Sequence, residues 1–114
     1  MEAHLAHLRA RDAQAMLADY ADDAVVITNL SKKPFMGKAE IRAYCAAKAG
    51  QAVPHFGALA APDTKYLLQE SVEELGCIGF QQKKNRQYGV LTQRVRDGKI
   101  IYESAVFQGA TAIL

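Results

Sequence analysis

The chain has 114 residues, half of them apolar and 23% charged, which fits one folded domain spanning residues 1–114 and is far from the composition of a disordered protein. A formal net charge of +2 is too small for a nucleic-acid surface, and the cluster Lys83, Lys84 and Arg86 reads as a hairpin tip. No run approaches the roughly 18 apolar residues of a membrane helix, so no membrane partner is expected.

The opening MEAHLAHLRARD lacks the apolar segment of a secretory signal. Cys45 and Cys77 both lie in apolar surroundings and read as free buried thiols, which points to the reducing cytoplasm.

In chain order, apolar spacing predicts a short helix over residues 3–11, with Leu5 and Leu8 on one face. Asp12 is a natural N-cap for a second helix, on which Met16, Leu17 and Tyr20 recur at helical spacing. The β-branched run 24–30 reads as the first strand. A loop, SKKP, leads to Phe35 and Met36, which are expected to pack as a lid on a third helix beginning after Gly37. There Ile41, Tyr44, Cys45 and Lys48 follow i, i+3, i+4, i+7, and Gly50 closes the helix. Residues 51–63, with Pro54, Gly57 and Pro62, read as a loop or a broken helix that carries His55. Strands are expected over 64–72, 77–82, 87–96 and 99–108. Asp97-Gly98 supplies the positive φ angles of a type I′ turn, so the last two strands form a tight hairpin. Helices first and a meander of strands after them predict an α+β fold in which the helices cover the apolar face of the sheet.

The segment LADYADDAVVI, then PFMGKAEIRAY, and the closing RDGKIIYESAVF resemble the nuclear transport factor 2-like superfamily, which includes ketosteroid isomerases and SnoaL-like polyketide cyclases. The resemblance spans nearly the whole chain. It implies a cone-shaped, cystatin-like α+β barrel. N-terminal helices pack into a strongly curved mixed or antiparallel sheet, with a pocket at the open end, and the protein forms a homodimer. Aligned without gaps on Tyr20-Ala21-Asp22-Asp23, the isomerases' catalytic set is not preserved. Thr28 stands at the base position, Leu91 at the acid position and His4 at the tyrosine position. Neither Thr28 nor Leu91 can do that chemistry at neutral pH.

If Thr28 faces the pocket, alternation along the strand turns Val26 and Leu30 inward as well. Matching Phe107 to the superfamily's pocket aromatic turns Ile101, Glu103 and Ala105 inward, and Gln93 with Leu91 and Val95 faces them from the paired strand. Tyr20, Val26, Thr28, Leu30, Leu91, Gln93 and Phe107 are thus the expected ligand pocket. Glu103, His4 and His55 are the candidate catalytic groups. Burial would raise the pKa of Glu103 and suit it to general acid–base work. Plainer readings stand beside these: a paired strand-end Glu103, an exposed His4 on a fraying helix, an ordinary loop His55. His4 and His7, three apart, could share a face as metal ligands do, but no third ligand is evident, and neither metal nor cofactor is expected.

Two functions remain open. One is a small-molecule-binding domain with a mainly apolar pocket for an apolar or partly polar ligand, acting as a cofactor-free lyase, isomerase or cyclase. The other is a non-catalytic homodimeric interaction module with a vestigial pocket, docking through the outer face at Tyr102, Ser104 and Val106.

Overall fold

The structure is a computed structural model that describes residues 2–50, 63–83 and 86–108. The fold is α+β. Its helices are α1 (Glu2–Arg9), α2 (Ala13–Ala18) and α3 (Lys38–Ala49). Its strands are β1 (Tyr20–Thr28), β2 (Phe35–Met36), β3 (Lys65–Val72), β4 (Leu75–Gln82), β5 (Gln87–Arg96) and β6 (Lys99–Phe107). One sheet holds all six in the order β2-β1-β6-β5-β4-β3. The last four strands form an antiparallel meander, and β1 joins it parallel to β6, so the sheet is mixed.

Asp12 caps α2 by accepting the Ala15 N–H at 3.0 Å. The helix then ends sooner than its spacing predicts. The Ile100 N–H donates to the Asp19 carbonyl at 2.8 Å, and Tyr20 pairs with Ile100. The sheet thereby captures the chain at Tyr20, which becomes the first residue of β1 rather than a helical one. Phe35 and Met36, expected as a lid, instead pair with Val26 and Val25 as an edge strand.

The helices bury one face of the sheet. On β1 the buried side chains are Tyr20, Ala24, Val26 and Thr28. On β6 they are Ile100, Glu103, Ala105 and Phe107. Ile101, expected inward, is half-buried, and Ile100 takes its place. The cause is a bulge: Val95 pairs with Ile100 while the adjacent Arg94 pairs with Tyr102, leaving Ile101 as the extra residue. The bulge puts Ile100 and Glu103, three apart, on one face. Asp97 (φ 52°) and Gly98 (φ 76°) form the expected two-residue turn of that hairpin.

Gly89 lies between Phe80 and Phe107 on neighbouring strands. A Cβ there would come within 2.7 Å of the Phe80 ring and 2.8 Å of the Phe107 ring. The two rings close the gap edge to face, with centroids 5.9 Å apart. Cys45 is fully buried, whereas Cys77, expected to be buried, is only half so, because it lies on the outer face of β4 beside Thr92.

Candidate functional site

Glu103 has no exposed surface. A bare carboxylate there would be untenable, and donors from three other elements meet it. Tyr20, opening β1, donates to Oε1 at 2.8 Å, and Tyr44 of α3 donates to Oε2 at 2.5 Å. Gln93 of β5 donates its Nε2–H to Oε1 at 2.6 Å. The Lys48 ammonium, one turn beyond Tyr44 on α3, lies 3.1 Å from Oε2. The same ammonium stands over the Tyr44 ring at 4.6 Å.

Lys48 also donates to Tyr20 Oη and to His4 Nε2, each at 2.9 Å. His4 in turn donates from Nδ1 to Asp19 Oδ2 at 2.8 Å, and His7 reaches the same oxygen from its own Nδ1 at 2.7 Å. Because Nε2 accepts from an ammonium, His4 is the neutral tautomer with its proton on Nδ1. A continuous chain therefore runs from Asp19 through His4 and Lys48 to Glu103, with His4 Nε2 4.0 Å from Glu103 Oε1.

The electrostatics follow from this geometry. Burial, and then the Lys48 charge, lower the His4 pKa and keep the ring neutral. Burial works to raise the pKa of Glu103, but the Lys48 charge and the hydrogen bonds from Tyr44 and Gln93 outweigh it and bring it down to about 2. The expectation that burial would raise it is overturned, because four donors favour the charged form more than desolvation disfavours it. Glu103 is a fixed anion rather than a general base. Burial and the Glu103 charge push Tyr20 and Tyr44 well above the ordinary tyrosine range, so both remain neutral donors. Burial likewise opposes ionisation of Asp19, but its bonds from His4 and His7 leave its pKa lowered.

The structure thus brings His4, Tyr20, Gln93 and Glu103 together, and their surroundings are polar rather than mainly apolar. Val26, Leu30, Leu91 and Phe107 lie in the hydrophobic core, and Phe107 also borders an apolar cleft of about 360 Å³ with Phe80, Gly89 and Val106. Thr28 is buried, and its hydroxyl accepts the Leu30 N–H at 3.2 Å, a local turn contact. His55 lies outside the described residues. Among the described residues no group of three or more His, Cys, Asp and Glu is placed to hold a metal ion. No helix among them is long and apolar enough to cross a membrane.

Lys48 and Asp19 join this site beyond the residues the sequence patterns announced, and Tyr44, whose spacing suits core packing, puts its hydroxyl into it as well. Lys48 did carry a signal. It occupies the i+7 position of the stripe Ile41, Tyr44, Cys45, Lys48, and a lysine on a buried face requires a buried partner. Asp19 gave none, since an acid at a helix end reads as solvated.

This architecture is the nuclear transport factor 2-like fold. A nuclear transport factor 2-like protein of unknown function from Burkholderia xenovorans aligns over 99% of this chain and 81% of its own, with a TM-score of 0.67 at 19% identity. A proposed polyketide cyclase from Sinorhizobium meliloti aligns over 90% of this chain and 88% of its own, with a TM-score of 0.65 at 16% identity. A de novo designed protein with a curved β-sheet aligns over 95% of this chain and 81% of its own, with a TM-score of 0.68 at 10% identity. No protein-family model and no curated protein matches the chain by sequence. A design matching as well as natural proteins makes the point that this fold does not carry a function by itself.

Proposed function

We propose that the chain is a small-molecule-binding domain that moves a proton on its ligand without a cofactor, with His4 as the proton acceptor. The observation that carries this reading is the placement of His4: neutral, oriented by Asp19, and with Nε2 2.9 Å from the Lys48 ammonium. An imidazole fixed in one tautomer by a carboxylate is suited to take a proton at Nε2. Release of Nε2 from Lys48 costs little, since Glu103 and Tyr20 also receive that ammonium. Lys48 would then offer its released N–H to the negative charge that develops on the ligand. Glu103 and Tyr20 hold that ammonium in place. The proposed polyketide cyclase among the structural neighbours is compatible with a cofactor-free reaction of this kind. Two free thiols agree with a cytoplasmic setting.

The test is NMR of the protein labelled at histidine, titrated with a panel of small carbonyl and hydroxy compounds. A ligand of the proposed site shifts the His4 ring signals, and His4→Gln weakens its binding or abolishes turnover. Saturable binding that leaves His4 unmoved would sink the proposal.

A second reading is favoured by one observation. The outer sheet face exposes Ile27 (49%), Val90 (45%) and Val106 (54%), and Val90 pairs directly with Val106. We propose a homodimer through this face, with Tyr102 and Ser104 alongside. Sedimentation equilibrium showing a monomer at micromolar concentration removes it.

A further inference from the structure

Two clefts open on either side of Gln93 and Val95. One, of about 60 Å³, is bounded by Ala3, His4, Asp19 and Gly98. The other, of about 150 Å³, is bounded by Ser71, Glu73, Glu74 and Leu75. Gln93 is fully buried, and its amide nitrogen is committed to Glu103. Its amide oxygen has no hydrogen-bond partner among the described residues. That orientation is fixed, because the opposite flip would set oxygen against carboxylate. A buried acceptor left in this way costs about 1–3 kcal/mol unless something donates to it.

What surrounds the acceptor defines what can donate. Asp19 adds an ionised carboxylate to the smaller cleft, and Glu73 and Glu74 add acids to the larger one. Among the described residues no lysine or arginine lines either cleft. The basic groups nearby are engaged: Lys48, behind His4, with Glu103 at 3.1 Å, Arg96 with Glu74 at 3.2 Å and Lys99 with the Ala18 carbonyl at 2.7 Å. A volume of about 60 Å³ is roughly the share of two water molecules in the liquid, which admits a compact head group but no ring. Beyond it, Val95 and Leu75 offer an apolar path towards the larger cleft.

The geometry points to an organic amine as the ligand class of this site: a primary ammonium head donates to Gln93 Oε1 and Asp19 in the smaller cleft, and a short apolar body lies over Val95. The inference rests on the proposed small-molecule site at His4 and adds the chemistry of its occupant. An anion would face Asp19, Glu73 and Glu74, with Lys48 and Arg96 already paired to Glu103 and Glu74, and a purely apolar head would leave the Gln93 oxygen unpaired.

The experiment titrates the protein with n-propylammonium, and with propanol and propionate as neutral and anionic controls at matched ionic strength. The reporters are the Gln93 side-chain amide, the Gly98 backbone amide and the His4 ring. The expected result is a saturable shift at all three with propylammonium, and binding at least about tenfold weaker for both controls. Ala3→Leu fills the smaller cleft from an exposed position on α1 and leaves the buried hydrogen bonds alone. It should weaken propylammonium by a similar factor. Equal binding of propanol or propionate overturns the amine assignment and leaves the His4 site standing. Propylammonium binding that survives Ala3→Leu unchanged overturns the placement. If neither these compounds nor the wider panel moves His4, the assignment and the functional reading fall together.

Discussion

The two ends of the buried sheet face are built on opposite principles, and β6 contributes to both. At one end Phe107 meets Phe80 across the space left by Gly89. At the other, four residues earlier, Glu103 accepts from Tyr20, Tyr44, Gln93 and Lys48. The first end is specified by volume, the second by pairing. Apolar packing tolerates chemical change if shape is kept. A buried ionic cluster tolerates loss of both partners far better than loss of one.

That contrast is broken or upheld most strongly by Lys48. Lys48→Met alone leaves Glu103 buried without its cation and should cost about 3–5 kcal/mol in urea unfolding. Phe107→Ala should cost a similar amount through the cavity it leaves. The two differ in rescue. Adding Glu103→Leu to Lys48→Met should recover most of the loss, because the charge that needed Lys48 is gone. If the double variant is no more stable than Lys48→Met, the cluster is not organised around that pair.

Gly89→Ala probes the apolar end at smaller scale. The new methyl would lie within 2.8 Å of ring atoms of both Phe80 and Phe107, so the rings must shift. A loss of about 1–3 kcal/mol is expected, the usual cost of overpacking. Phe80→Leu in the same background should relieve part of it. A neutral Gly89→Ala would mean that the rings are free to move.

The sequence exposed the apolar end better than the polar one. Alternation in β1, β5 and β6 put Val26, Leu91 and Phe107 on one face, and Asp97-Gly98 set the hairpin register, because both signals are local. Alternation also finds Glu103 but not its ionisation. Its state depends on Lys48 and Tyr44, which come from a segment distant in sequence, and burial alone suggests the opposite shift. The spacing of Tyr20 fits α2 and so reads as helical. The pairing with Ile100 that moves it into β1 is a long-range contact no local pattern contains. The bulge that exchanges Ile101 for Ile100 is equally invisible to a rule of strict alternation.

The smallest effect, and the one that separates the members of the polar end, is the pH dependence of stability. His4 has a folded pKa below its ordinary 6.5, through burial and the Lys48 charge. The unfolded chain then takes up a proton that the folded chain refuses, so stability falls as pH drops below 6.5. Glu103 titrates near 4.5 when unfolded and at about 2 when folded, so its contribution is complete above 4.5 and is lost from there towards 2. The two groups act in the same direction in separate windows. The urea midpoint should decline first below pH 6.5, and again, more steeply, below 4.5. His4→Gln should remove the first decline and keep the second. His7 and His55 are common to both proteins, so the difference between the two profiles isolates His4. A wild-type profile flat from pH 7 to 4.5 would mean that His4 is not held neutral against Lys48, and the chain from Asp19 to Glu103 would be broken at its second link.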